Sequence, residues 1–193
     1  MPQYLDRECR CPPDPYARFD SVISYELSIP LNAHRIVNDS EFCTMIQKDA
    51  FHKNSFKDVE IDDLTLRDVL RGLDKKMGLY HIWTDDDFCD VHKRYNLECL
   101  YVGKGAAFTR LLEHAKDRKK LLDDVPYWIS FFACDNRIAK YIEQLFLDTY
   151  HFPENSNENH GTDTLWASWT QERYELGTEM HAISNLPNAP QGD

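Results

Sequence analysis

The chain has 193 residues, 42% hydrophobic and 12% aromatic, enough for one domain with a buried core, alone or with a small attached module. Its formal net charge is −11, which argues against a generic nucleic-acid binder, since those are basic. No run is long and apolar enough to span a membrane, so no membrane partner is expected.

The start, MPQYLDRECRCPPDPYARFD, is charged and proline-rich and lacks the apolar segment of a signal peptide. The expectation is a cytoplasmic protein, with signal-independent export into another cell left open. Of the six cysteines, only Cys9 and Cys11 are close together, and C-x-C is not the C-x-x-C of a zinc knuckle or redox pair. A structural zinc site through these two and a histidine is conceivable. Cys99 and Cys134 lie in apolar runs and read as small core residues.

In chain order, residues 1–20 read as an irregular arm broken by Pro12, Pro13 and Pro15. SVISYELSI (21–29) has the β-branched and aromatic content of a strand. Ser40 is placed to cap a short helix running to about Phe51. Thr65 and Asp68 open another, with Leu66, Val69, Leu70, Leu73 and Met77 at helical spacing. GLYHIW (78–83) and LECLYVG (97–103) read as strands, joined by the polar loop or short helical excursion TDDDFCDVHKRYN. A helix is expected from Ala106, a strand over 125–133 and a second helix over Asn136–Tyr150, whose Ile138, Tyr141, Ile142, Leu145 and Phe146 form one apolar face. LWASWTQERYELG reads as a last short helix with Trp166 and Trp169 on one side, and NLPNAPQGD as a disordered tail. The order predicts an α+β fold: a small, mainly antiparallel sheet flanked by helices, with an N-terminal α/β extension.

Charge is uneven along this frame. Residues 154–193 carry seven acids against one base, whereas Lys104, Arg110, Lys116, Arg118, Lys119 and Lys120 face only Glu113 and Asp117 between positions 104 and 120. Such a local field can steer a polyanion despite the overall sign.

Within it stand, in order, Gly78-Leu79-Tyr80, Tyr101-Val102-Gly103, Arg110, His114, Glu143 and Asn155. This set resembles the GIY-YIG nuclease superfamily, and YVGKG is similar to its excision-repair branch. The likeness covers about residues 78–157 and departs from the family in its twenty-residue spacer, 81–100. It implies a nuclease domain over 78–157, an accessory module over 1–77 and an acidic C-terminal helix and tail over 158–193. It also implies that both tyrosines point into one active site and that Glu143 holds a metal ion.

Phosphodiester hydrolysis needs an activated water, a cation on the phosphate and positive charge near the leaving oxygen. On this reading Tyr80 takes the proton from water, directly or as a phenolate, Tyr101 positions water or assists the relay, and Lys104, Arg110 or the metal supplies positive charge. Arg110 offers a planar fork to phosphate. His114, one turn further on the same helix face, orients phosphate or serves as an alternative base. Glu143 binds Mg²⁺, with Mn²⁺ as a substitute; a single carboxylate suits an ion that keeps most of its waters. Asn155, with Asn157 and Asn159 as rivals, and Lys116, Lys119 and Lys120 are the candidate substrate contacts.

The expected activity is metal-dependent DNA cleavage, in a restriction, repair or mobile-element enzyme or a DNA-damaging toxin with a cognate inhibitor or immunity protein. Two alternatives stand beside it: a non-catalytic scaffold that binds nucleic acid or protein, and RNA as substrate.

Overall fold

The computed structural model describes residues 9, 11–12, 16–27, 31–38, 40, 42–47, 66–116 and 126–177. Among them lie five strands in one antiparallel sheet and six helices, so the fold is α+β as expected. The expected Arg118, Lys119 and Lys120 cluster, the side chain of Lys116 and the C-terminal tail fall outside the described residues.

The sheet is built around a long hairpin. Strand β2 (Met77–Cys89) pairs antiparallel with β3 (Arg94–Ala106), and a turn over residues 90–93 joins them. The expected polar loop is therefore mostly strand. Asp85 and Asp86 are exposed while Phe88 meets Tyr95 across the ladder, ring centroids 4.8 Å apart. Polar residues on the open side of a strand carry no loop signal of their own. Strand β4 (Pro126–Ala133) lies on the other side of β2, and β1 (Phe42–Gln47) is the edge beyond it. Strand β5 (Trp166–Thr170) borders β3, giving the order β1-β4-β2-β3-β5.

Four sequence expectations are corrected here. Residues 17–27 form helix α1 (Ala17–Leu27) rather than a strand, because Phe19 and Ile23, one turn apart, are both fully buried and Phe19 stacks on Phe146 at 4.2 Å. Ser40 starts no helix. The segment after it is β1, paired through Cys43 with Ser130, and buried Ser40 instead accepts a hydrogen bond from Arg173 at 2.7 Å. Helix α3 (Leu66–Val69) tightens into a 3-10 turn (Leu70–Leu73), so Met77 begins β2 rather than ending a helix. Trp166 and Trp169 lie on a strand, where their odd spacing puts them on opposite faces, and among the described residues the short helix α6 (Gln171–Leu176) follows. Helix α2 (Ala33–Val37) completes the N-terminal part.

Helices α4 (Ala107–Lys116) and α5 (Asn136–Thr149) cover opposite faces. Alternation sorts the core. Leu79, Trp83, Val102 and Trp128 pack with Ile142 and Phe146 of α5, whereas Tyr80, Ile82, Ile129 and Phe131 pack with Ala107 and Leu111 of α4. Fully burying each large apolar side chain contributes roughly 1.5–3 kcal/mol. Asp135 caps α5, accepting hydrogen bonds from the backbone N–H groups of Arg137 and Ile138 at 2.9 and 3.0 Å. Residues on both sides of Gly78 share this sheet and core, Phe19, Ile36 and Val37 among them. No described helix is long and apolar enough to cross a membrane.

His81 lies on the α5 face, fully buried against Trp83 and Phe146, with neither ring nitrogen hydrogen-bonded. Burial pushes its imidazole down to about 3. The unfolded chain takes up this proton near pH ~6.5, so the contribution is complete above that value and is lost as pH falls toward 3. Between pH ~6.5 and ~5 the loss is about 2 kcal/mol. His81→Leu removes it: a plot of Tm against pH should be flatter for the variant than for the wild-type protein over this window. Parallel plots would contradict the assignment.

Candidate active site

The hairpin register explains why each arm joins a tyrosine to a glycine. Tyr80 on β2 stands opposite Gly103 on β3, and Ile82 opposite Tyr101. Cross-strand partners share a face, so the Tyr80 ring lies over Gly103 with Tyr101 beside it, ring centroids 5.9 Å apart. A Cβ on Gly103 would sit 2.5 Å from Tyr80 Cζ and 2.7 Å from Tyr101 Cε1. The missing side chain is what admits both rings. Gly78 fills a similar role on β2, where a Cβ would meet the Phe132 carbonyl oxygen at 2.2 Å.

Gly105 has φ +101°, a conformation that side chains resist, and it turns the chain from β3 into α4. Helix α4 then carries Arg110 and His114, one turn apart, back over the same face. His114 Nε2 lies 3.3 Å from Tyr80 Oη, and its ring meets Tyr101 edge-on at 4.5 Å between centroids. Arg110 is exposed and, among the described residues, forms a 3.3 Å ion pair with exposed Glu113. A surface pair of this kind contributes little, so the guanidinium can leave it for an anion.

Glu143 comes from α5. Its side chain is 14% exposed and pairs with Lys104 of β3, on which the Lys104 ammonium donates a hydrogen bond to Oε2. The Glu143 and Arg110 charges both act on Tyr80 and on Tyr101. Tyr80, Tyr101, Lys104, Arg110, His114 and Glu143, six residues from four elements, thus belong to one electrostatic neighbourhood. Burial pushes the Tyr80 phenol well above the usual tyrosine range, Tyr101 adds to this, and the Arg110 charge only partly opposes it. Burial raises Tyr101 as well. The expected phenolate at Tyr80 is therefore disfavoured in the resting site, and Tyr80 keeps its proton.

Asn155 is placed differently from the expected substrate contact. Its amide oxygen accepts from the Val102 N–H at 3.0 Å and its amide nitrogen donates to the Val102 carbonyl at 2.9 Å. It clamps the strand that carries Tyr101 and Gly103. Asn159 does the same for Phe152, at 3.0 and 2.8 Å, and Asn157 is exposed. Glu143 is a single carboxylate, the kind of ligand Mg²⁺ takes when it keeps most of its waters, and Lys104 is bonded to its Oε2. Among the described residues, one cluster of three or more metal-ligand side chains exists, at the far end of the hairpin.

No family model, curated protein or solved structure matches this chain. The site rests on its own geometry.

Proposed function

We propose that the protein is a metal-dependent endonuclease of the GIY-YIG type that hydrolyses phosphodiester bonds in DNA. The observation that carries this reading is the contact of Tyr80, Tyr101 and His114 over Gly103, with the Arg110 and Glu143 charges acting on both tyrosines.

In this mechanism water gives a proton to Tyr80 Oη as Tyr80 passes its own to His114 Nε2. The phenol need not ionise in the resting state, and the hydroxide left behind attacks phosphorus as the bond to the leaving oxygen breaks. Arg110 and Lys104 hold the non-bridging oxygens, where negative charge grows. Mg²⁺ at Glu143, when bound, would polarise the phosphate and stabilise the leaving oxygen. Tyr101 packs against His114 and fixes its ring.

Tyr80→Phe keeps the ring and removes the relay oxygen. Its cleavage of supercoiled plasmid in Mg²⁺ should fall at least ~100-fold, within the range of general acid–base catalysis. Wild-type rates in the folded variant would overturn the assignment.

The Lys104–Glu143 pair favours a second reading. A lysine that neutralises the carboxylate permanently would leave a scaffold that binds nucleic acid or protein without cutting it. Retention of DNA without cleavage in Mg²⁺ or Mn²⁺ would mark that outcome, and cleavage of RNA alone would reassign the substrate.

A further inference from the structure

At the end of the hairpin away from the tyrosines, two segments distant in sequence bring together three thiols and an imidazole. Cys89 is the last residue of β2, and His92 lies in the turn that follows, a C-x-x-H spacing. Lys93, at φ 52° and paired with Asp90 at 2.9 Å, closes that turn. Cys9 and Cys11 arrive from the N-terminal arm. Their Sγ atoms lie 3.4 and 3.3 Å from His92 Nδ1, and Cys89 Sγ lies 3.6 Å from the same nitrogen. All four ligand atoms fall within 4.8 Å of one another, and none of the cysteines forms a disulfide.

Hydrogen bonding does not account for this convergence. One imidazole nitrogen has a single lone pair or a single proton, and thiols are weak donors, so three sulfurs cannot all bond well to Nδ1. A central ion satisfies all four at once. With zinc–sulfur bonds of ~2.3 Å and a zinc–nitrogen bond of ~2.05 Å, tetrahedral geometry puts each sulfur ~3.5 Å from the nitrogen. The three observed separations bracket that value.

We propose that Cys9, Cys11, Cys89 and His92 form a closed structural zinc site that fastens the N-terminal arm to the tip of the β2–β3 hairpin. Three sulfurs and one nitrogen are soft and borderline ligands, suited to Zn²⁺ and not to Mg²⁺ or Ca²⁺. On binding, the three thiols release their protons to solvent and coordinate as thiolates, with no change of oxidation state. Four protein ligands leave no open position for chemistry. Cys89 lies nine positions along the strand from Tyr80, a distance of about 30 Å. The ion is therefore distinct from any Mg²⁺ at Glu143, and its test does not depend on nuclease activity.

The test uses the full chain, purified under reducing conditions without chelator. Elemental analysis should find one zinc per chain. Replacing zinc by Co²⁺ should give the visible absorption of a tetrahedral ion with thiolate charge-transfer bands, and chelation should lower Tm by on the order of 10 °C. Cys89 is buried and its loss can impair folding, so the variant tested is Cys9→Ser, at an exposed ligand. It should bind Co²⁺ at least ~100-fold more weakly, with an altered thiolate band. A folded, reduced chain that carries no zinc and gives no such Co²⁺ spectrum would overturn the site, as would a Cys9→Ser spectrum and affinity identical to wild type.

Discussion

Glu143→Gln is expected to lower Mg²⁺-dependent cleavage by on the order of 10³-fold while leaving the fold intact. The amide has the shape of the carboxylate and can still accept a hydrogen bond from Lys104. What it lacks is the charge that would hold a divalent ion. Lys104 is one-third exposed, and solvent screens it when its partner is neutralised, so the stability cost should stay within about 1 kcal/mol. The combination distinguishes a metal ligand from a structural ion pair. A structural pair would show a fall in Tm and a proportionate fall in activity. A metal ligand shows a large loss of rate at nearly constant Tm, with part of the loss appearing as weaker Mg²⁺ dependence. A Glu143→Gln protein with the wild-type Mg²⁺ response would remove Glu143 from the site.

Gly103→Ala should damage the fold of the hairpin and its chemistry together. The added methyl would sit 2.5 Å from Tyr80 Cζ, 2.6 Å from Tyr80 Oη and 2.7 Å from Tyr101 Cε1. Tyr80 is 1% exposed and hemmed in by Phe131 and Leu111, so its ring cannot simply swing into solvent. Overpacking of this kind costs about 1–3 kcal/mol, or a Tm lower by roughly 2–12 °C for a chain of this size. The same displacement moves Tyr80 Oη away from His114 Nε2. A shift near 1 Å in a reacting group can cost ~100-fold in rate. Activity measured well below the variant's Tm should therefore fall by about that factor in the molecules that remain folded. Full activity in Gly103→Ala would mean that the two rings are not positioned for chemistry.

The strongest periodic patterns were legible in the sequence. Helix α5 is readable because Ile138, Ile142 and Phe146 repeat at helical spacing. Strand β4 was readable as a short apolar run. Helix α1 was not, since Val22, Ile23 and Tyr25 suit a strand as well as a helix, and only packing of Phe19 on Phe146 settles the matter. The long hairpin was hidden because its outer half is polar on one side, and β5, which pairs with Arg94–Glu98, lies over sixty residues away in sequence. Tyr80, Tyr101, Arg110, His114, Glu143 and Lys104 are all visible as an ordered set; in the structure Tyr80, Tyr101 and His114 are in contact, Lys104 pairs with Glu143, and the Arg110 and Glu143 charges act on both tyrosines. The clamp made by Asn155 was not visible, because a side chain bonded to a distant backbone leaves no local pattern. The proposed zinc ligands are half visible. Cys9-x-Cys11 stands out in the sequence, but the C-x-x-H of Cys89 and His92 sits in the stretch that reads as a loop, and the pairing spans some eighty residues.

The two proposed metals call for different treatments. A strong chelator would strip the proposed zinc along with Mg²⁺, so loss of activity in chelator says little about the tyrosine site. The direct measurement is a time course on supercoiled plasmid with wild-type and Glu143→Gln protein, both matched for zinc content and Tm, with Mg²⁺ omitted and then added back. The wild-type protein should convert the plasmid to nicked or linear DNA only when Mg²⁺ is present, and Glu143→Gln should leave it supercoiled. Equal cutting by both proteins, or an intact plasmid after prolonged incubation with folded wild-type protein in Mg²⁺, would contradict the account.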